Sequence, residues 1–316
     1  MTPPDGPDRE VPYRDPLAPP GQFEPAGGPL PPQLAEIEPE FRPDYKLPVG
    51  SVLGDSLGAY FGSFIQYSLL ASIALLPVIV WAAAVLHDLD IGDFSFGGNL
   101  AYHILGISVV ALLLQPVATG AIIYGVFRKR SGKSASMIRC LGVGFSRLLP
   151  LLGVALLTAL GLVAIVIPML IAAMIPFLGI LLVIAGLVPI AMFLSAVYAA
   201  PPAVVVERKG PVEAFRRSFD LTRGNRPRIF AIILVLGIAQ KVFDYIAEKT
   251  LLDPGSVTSI GDLEGLIASL KIYVGVTLGL AVVFTAIGAV AAALVFYHLK
   301  INLEGSDADE LASVFD

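Results

Sequence analysis

The sequence is poor in charged residues, cysteine and histidine. Only 15% of its 316 residues are charged and 56% are hydrophobic, whereas soluble domains have roughly 25% charged residues. This composition excludes an ordinary soluble protein, because a fold in water cannot bury so much apolar surface. The single cysteine, Cys140, excludes an internal disulfide and a site built from several cysteine ligands. A net charge of only −5 predicts no partner by itself, and we expect no nucleic acid.

Long segments without charged residues indicate transmembrane helices. Each of four such segments is longer than the roughly 20 residues that one helix needs to cross the hydrocarbon core; they are 56–87, 94–127, 148–206 and 272–299. The third segment has 59 residues, about twice what one helix requires. It therefore predicts a hairpin of two spans that turns between Pro168 and Pro176.

The segment after Arg228 is a weaker candidate for a further span. Only 229–240 is free of charge before Lys241 and Asp244 follow. A helix from Arg228 would place Lys241 past mid-membrane, where its aliphatic stem lets the ammonium group reach the outer interface. With this segment the chain has six predicted transmembrane helices; without it, the C-terminus would lie on the outer side.

Composition also divides the chain into three regions. More than half of the 25 prolines lie before residue 49, in a stretch with few large apolar residues. Such a segment cannot bury enough surface to offset its ordering entropy. We expect a disordered tail over 1–49, a six-span membrane domain over 50–303 and a short acidic tail over 304–316.

Basic residues are concentrated in two predicted loops. The loops after the second and fourth spans hold 13 of the 21 lysines and arginines, whereas the loop after the first span has none. Because short cytoplasmic loops carry the excess of Lys and Arg, both basic loops should face the cytoplasm. The same parity predicts that both termini are cytoplasmic.

A short amphipathic segment precedes each odd-numbered span. These segments are 50–64, 133–150 and 210–230, at spacings of roughly 80 residues. They predict an all-α bundle of three helical hairpins, each preceded by a short interfacial helix. We predict that exposed arginines of the second and third segments contact anionic lipid headgroups or partner proteins: Arg139, Arg216, Arg217, Arg223 and Arg226. The alternative is that these charges only fix the topology.

The first amphipathic segment also has glycines at every fourth position. Gly50, Gly54, Gly58 and Gly62 would lie on one helical face, which predicts close packing against a neighbouring backbone; irregular chain is the alternative. Gly54-Asp55-Ser56-Leu57-Gly58 also fits the G-x-S-x-G pattern of hydrolases, but it lacks the preceding strand and the histidine and acid partners. We expect no catalytic site, no cofactor and no metal.

Polar residues inside predicted spans are the remaining site candidates, since burying them in lipid is costly. Gln115 lies beside Pro116 in the second span, and Gln240, Lys241 and Asp244 lie in the fifth. Lys241 and Asp244 are three residues apart and can pair on one helical face. The alternatives are an interhelical hydrogen bond at a proline kink and an interfacial helix end with solvated charges.

One motif lies between the fourth and fifth spans. It consists of Pro202, Glu207, Gly210, Ala214, Arg217, Ser218, Leu221 and Gly224. In this setting the motif resembles the membrane domain that accompanies some glycerophosphoryl diester phosphodiesterases, and also a broader group of bacterial six-span inner-membrane proteins. The resemblance implies the architecture and a bacterial inner membrane. It does not imply hydrolysis, because no phosphodiesterase barrel fits into the short segments outside the spans.

Two hypotheses for the function follow. The first is a non-enzymatic membrane module that contacts anionic lipids or partner proteins through its basic cytoplasmic helices. The second is a transporter or lipid-translocating protein with a polar route near Gln115, Lys241 and Asp244.

Overall fold

A computed structural model describes residues 45–87, 96–173, 175, 178–252 and 260–304. Within these ranges every regular element is an α-helix. In chain order they are α1 (Val49–Phe61), α2 (Phe64–Ala74), α3 (Leu76–His87), α4 (Phe96–Arg130), α5 (Met137–Ser146), α6 (Leu148–Ala173), α7 (Leu178–Val197), α8 (Ala200–Val206), α9 (Pro211–Leu221), α10 (Arg226–Leu251) and α11 (Ile260–Glu304). The predicted disordered tail up to residue 44 and the predicted acidic tail from residue 305 lie outside the described residues.

Five of the described helices are long and apolar enough to cross a membrane. They are 101–130 of α4, all of α6, 184–206 of α7 and α8, all of α10, and 267–304 of α11. The hairpin predicted within 148–206 and the weaker fifth span are thereby confirmed in length and composition. The class predicted from the sequence, an all-α multi-pass membrane bundle, is confirmed.

The first predicted span, 56–87, differs most from the sequence prediction. Its first residues belong to α1, which meets α2 at an angle of 79°; counting the bent pair of α1 and α2 as one span raises the total to six. Only Leu75 separates α2 from α3, and its amide donates to the carbonyl of Ala71 while its own carbonyl accepts from Ile79. The chain therefore bends sharply after α1, whereas helical hydrogen bonds continue on both sides of Leu75.

Short helices precede the long ones at the three predicted places: α1, α5 and α9. The start of α9 shows how the sequence defines such a helix, since Pro211 follows Gly210 at the first helical position. Proline is favoured there because the amide of that position has no acceptor within the helix. Ala214, Ser218 and Leu221 form its buried face, at spacings of four and three residues that bring side chains onto one side of a helix.

The tightest packing lies in one half of the bundle. Buried residues include 117, 118 and 121–127 of α4 and every residue of α8 except Pro201, whereas most described residues of the first half of α4 are exposed. On α11 the buried stretch is 289–296, where small alanines let neighbouring helices approach closely. The rings of Phe127 and Phe296 pack edge to face, with centroids 6.1 Å apart.

Several helix ends meet beside this core. We call this region the charged end; it contains Lys129, Arg217, Asn225 and Glu304. Lys129 at the end of α4 donates to the carbonyl of Gly62, Arg217 of α9 pairs with Glu304 at the end of α11, and the amide of Leu47 donates to Asn225, 2.9 Å away. Residues 45–47 and 304 thus lie at the same end of the bundle. A chain whose two ends lie at the same end of the bundle crosses the membrane an even number of times.

Candidate functional site

A cluster of ion pairs occupies the centre of the charged end. Glu207 follows α8, and only 9% of its side chain is exposed. Its carboxylate accepts from Arg217 Nη2 at 2.9 Å and from Arg217 Nε at 3.1 Å, and it lies 3.0 Å from Lys209 Nζ and 3.3 Å from Lys300 Nζ. Arg217 also binds Glu304. The cluster therefore joins the ends of α8 and α11 to α9.

Both central groups of the cluster are held in their charged forms. Burial alone would raise the pKa of Glu207, but the hydrogen bonds from Arg217 and Lys209 and the nearby charge of Lys300 outweigh it, so the pKa lies below its usual value. Burial would lower the pKa of Arg217, yet its hydrogen bonds to Glu304 and Glu207 hold that pKa above its usual value. The hydrogen-bonding groups of Glu207 and Arg217 are thus paired, and the two residues connect helices rather than form a reactive pair.

The contact of Arg217 with lipid headgroups stays a prediction, but its ion pairs count against it. Only 19% of its side chain is exposed, and two carboxylates already neutralise its guanidinium. An arginine held in this way adds little to the attraction of a lipid phosphate. Its neighbour Arg216 is exposed and faces away from the cluster.

Other residues of the α8–α9 motif also have structural tasks. The Ser218 hydroxyl donates to the carbonyl of Ala196 at 2.6 Å and accepts from the amide of Ala199 at 3.1 Å, so it satisfies backbone groups freed where α7 gives way to α8. Gly224 has φ +86°, a left-handed conformation that favours glycine. The remaining members, Pro202, Ala214 and Leu221, are buried, and Gly210 precedes Pro211. The motif therefore builds the connection from α8 to α10.

Three of the predicted arginines are exposed, and we refer to them together as the basic surface: Arg139 on α5, Arg216 on α9 and Arg223 in the connection from α9 to α10. Within the described ranges no carboxylate pairs with any of them. Ile138, next to Arg139 in the chain, is 83% exposed, and Val212, about one helical turn before Arg216, is 70% exposed. Arg226 differs, because its guanidinium lies over the Phe219 ring at 5.3 Å and donates to the Phe219 carbonyl.

Gln115 borders two cavities within the spans. The larger one measures about 520 Å³ and lies among α4, α6, α7, α8 and α11; the smaller measures about 220 Å³ and lies among α3, α4 and α11. The hydroxyls of Thr119 and Thr158 in the larger cavity donate to carbonyls of their own helices. Both cavities are largely apolar, and Gln115 is the polar side chain that they share.

The other predicted intramembrane residues lie elsewhere. Lys241 and Asp244 do pair, with Nζ and Oδ2 3.5 Å apart, although Lys241 is 82% exposed. Gln240 and Lys241 border a shallow hollow bounded by residues of α10 alone. The structure therefore does not bring Lys241 or Asp244 to the cavities at Gln115.

The predicted close packing of the α1 glycines against a neighbouring backbone is wrong at all four positions, since at Gly62 an added β-carbon would meet only the carbonyl oxygens of Gly58 and Ala59 of the same helix. A β-carbon added at Gly50, Gly54 or Gly58 would meet no atom within 4 Å. Gly54 and Gly58 instead border an open cavity of about 400 Å³, which we call the glycine cavity; Asp55, Tyr67, Lys129 and Arg130 also line it. The four-residue spacing correctly indicated a common helical face, but no local signal shows what that face meets.

These features define a multi-pass helical membrane protein with a structural ion-pair cluster at one end and an exposed basic surface. Residues 67–270 match the family described as "Domain of unknown function (DUF7847)". Because this match covers more than half of the chain, the protein belongs to that family. Neither a curated protein nor a solved structure matches the chain. The resemblance to the membrane domain of glycerophosphoryl diester phosphodiesterases stays a prediction.

Proposed function

We propose that the protein is a non-enzymatic module of the bacterial inner membrane that contacts anionic lipid headgroups through the basic helices of its charged end. The observation that carries the proposal is the exposure of Arg139, Arg216 and Arg223 without a carboxylate partner among the described residues. The exposed side chains of Ile138 and Val212, on the same helices as Arg139 and Arg216, offer apolar contacts to the membrane.

Physical chemistry supports lipids as the partner. Guanidinium groups form two-pronged hydrogen bonds to phosphate oxygens, and each basic residue near an anionic leaflet contributes about 1 kcal/mol of attraction. The excess of lysine and arginine in the predicted loops favours the cytoplasmic side for this end, and with it cytoplasmic termini. A protein partner with an acidic surface is the other outcome that such arginines permit.

The test is a triple variant, Arg139→Gln, Arg216→Gln and Arg223→Gln, in lipid nanodiscs that contain phosphatidylcholine and increasing phosphatidylglycerol. We expect the enrichment of phosphatidylglycerol around the protein, measured by native mass spectrometry, to fall at least about tenfold, because three attractive charges are lost.

The matched control replaces two exposed lysines of α10 that lie far along the helix from the charged end, Lys241→Gln and Lys249→Gln. This control should leave the enrichment unchanged. Equal enrichment in the triple variant and the wild type would overturn the proposal, and binding of an acidic protein with unchanged lipid enrichment would favour a protein partner.

A second candidate function is movement of lipid across the membrane past Gln115. The observation that favours it is the position of Gln115 between two cavities within the spans. Lys241 and Asp244 do not belong to this route, because they line neither cavity. We expect Gln115→Leu to slow lipid translocation in proteoliposomes, while Gln240→Leu leaves the rate unchanged; no translocation by the wild type contradicts this function.

A further inference from the structure

The glycine cavity lies at the charged end, and none of the arginines of the proposed lipid surface lines it. Its floor is the face of α1 that carries Gly54 and Gly58, and its opposite wall is the end of α4. An added β-carbon at either glycine meets nothing within 4 Å. The space is therefore open because Gly54 and Gly58 have no side chains to fill it. The residues that border it supply both positive and negative charge.

Two cationic side chains, Lys129 and Arg130, line the cavity and have N–H groups that are free to donate to a ligand. Lys129 Nζ donates to the Gly62 carbonyl and to the Ser63 hydroxyl, which uses two of the three N–H groups of an ammonium. Arg130 stacks on the Tyr297 ring, with its guanidinium carbon 5.5 Å from the ring centroid, so the N–H groups at its edge stay available. Among the described residues no carboxylate pairs with either cation.

Asp55 adds an acceptor to the same cavity. One carboxylate oxygen lies 3.5 Å from His298 Nε2, and 46% of the side chain is exposed. With His298 neutral, two positive charges and one negative charge leave a single positive charge at the cavity. A singly charged anion that also carries hydrogen-bond donors would match both the charge and the acceptor.

We infer that the glycine cavity binds an anionic phosphodiester whose headgroup carries a hydroxyl group. Lys129 and Arg130 bind the phosphate oxygens through charge-assisted hydrogen bonds, and Asp55 accepts from the headgroup donor. Gly54 and Gly58 leave the room that the headgroup fills. The cavity lies beside the bend after α1 and at the end of α4, where a headgroup of the bilayer or a soluble phosphodiester can reach it. This inference does not rest on the arginine surface.

The first experiment measures binding of phosphatidylglycerol to the full-length protein in maltoside micelles by native mass spectrometry. Lys129→Gln with Arg130→Gln should weaken binding at least about tenfold, because two charge-assisted hydrogen bonds are lost. Gly58→Leu should weaken it similarly by filling the cavity. Gly50→Leu is the matched control, because Gly50 lies on the same helix, has the same free space and does not border the cavity.

Equal binding by Gly58→Leu and Gly50→Leu would overturn the inference. The role of Asp55 has its own test, since Asp55→Ala should weaken binding of phosphatidylglycerol but not of phosphatidylmethanol, whose headgroup has no donor. Equal effects on the two lipids would overturn that role.

A competition experiment distinguishes the two sources of the phosphodiester. Displacement of the lipid by excess dimethyl phosphate would show that the site accepts a soluble phosphodiester, whereas lipid binding that resists displacement would identify a membrane lipid. The triple arginine variant should bind in the cavity as the wild type does. If the nanodisc experiment overturns the proposed arginine surface, the result for the cavity is unaffected. A wild type that binds neither phosphatidylglycerol nor dimethyl phosphate in this experiment would overturn the cavity site without bearing on the arginine surface.

Discussion

Two short helices at the charged end, α1 and α5, both carry glycines, but they use them in opposite ways. On α5, a β-carbon added at Gly144 would lie 2.5 Å from the Val117 carbonyl oxygen of α4, so the absent side chain permits close contact between two backbones. On α1, the same addition at Gly58 meets nothing within 4 Å. Glycine on a membrane helix therefore indicates either contact or open volume, depending on the neighbouring helix.

The arginines of α9 show the same contrast between adjacent residues. Arg217 is held by Glu207 and Glu304, whereas Arg216, one residue earlier, is exposed. A helix turns about 100° per residue, so neighbouring side chains meet different surroundings. The first belongs to the internal structure of the protein, and the second is exposed at its surface.

Replacing Arg217 should give the largest effect on stability. Arg217→Met removes the bidentate partner of Glu207, whose side chain is only 9% exposed, and leaves two lysines near it. Because only the two lysines then compensate the nearly buried carboxylate and Glu304 also loses its arginine, we expect a loss of about 3 kcal/mol in the free energy of unfolding. Unfolding in mixed micelles with increasing SDS measures this quantity, and Arg216→Met should lower it by less than about 0.5 kcal/mol.

A double variant shows whether that loss belongs to the pair. Adding Glu207→Leu to Arg217→Met removes the carboxylate that has lost its arginine partner. The double variant should therefore recover part of the stability that the single change loses. Strictly additive losses would mean that Glu207 and Arg217 stabilise the protein independently, which contradicts the pairing described above.

The glycine of α5 should give the next largest effect. Gly144→Ala forces a methyl group against the Val117 carbonyl and the Ala121 amide, and neither backbone can move away without separating α5 from α4. Overpacking of this kind costs about 2 kcal/mol. The same unfolding measurement applies, with Gly142→Ala as the control on the same helix, since a β-carbon there meets nothing within 4 Å. Equal stability of the two variants would contradict the close contact.

Much of the fold could be predicted because it depends on local composition. The charge-free run 148–206 required a hairpin, and Gly210 followed by Pro211 indicates the start of α9. The ion-pair cluster could not be predicted, since Glu304 lies 87 residues after its partner Arg217. The interfacial helix predicted over 50–64 corresponds to α1, but the break between α2 and α3 at Leu75 was not predicted, because 56–87 contains no charge to mark where one helix ends and another begins.

A smaller loss is expected at Gly224, whose backbone has φ +86°. A β-carbon there meets no atom within 4 Å, so the cost of Gly224→Ala is conformational rather than steric and should be about 1 kcal/mol. Gly210→Ala is the control, because Gly210 has φ −67° and equal free space. Loss of stability at Gly210 as large as at Gly224 would mean that backbone handedness is not the cause.

The smallest expected effect has the opposite sign and concerns Gly58. Alanine in the interior of a helix is favoured over glycine by about 0.5 kcal/mol or more, and nothing within 4 Å opposes the added methyl group. Gly58→Ala should therefore stabilise the protein slightly in the same unfolding measurement, where Gly144→Ala destabilises it. A loss of stability at Gly58 would show that α1 packs against another surface there, and the glycine cavity would then be closed in the membrane. A gain in stability together with weaker phosphatidylglycerol binding would instead indicate that glycine is kept at this position for the ligand, at a small cost to the helix.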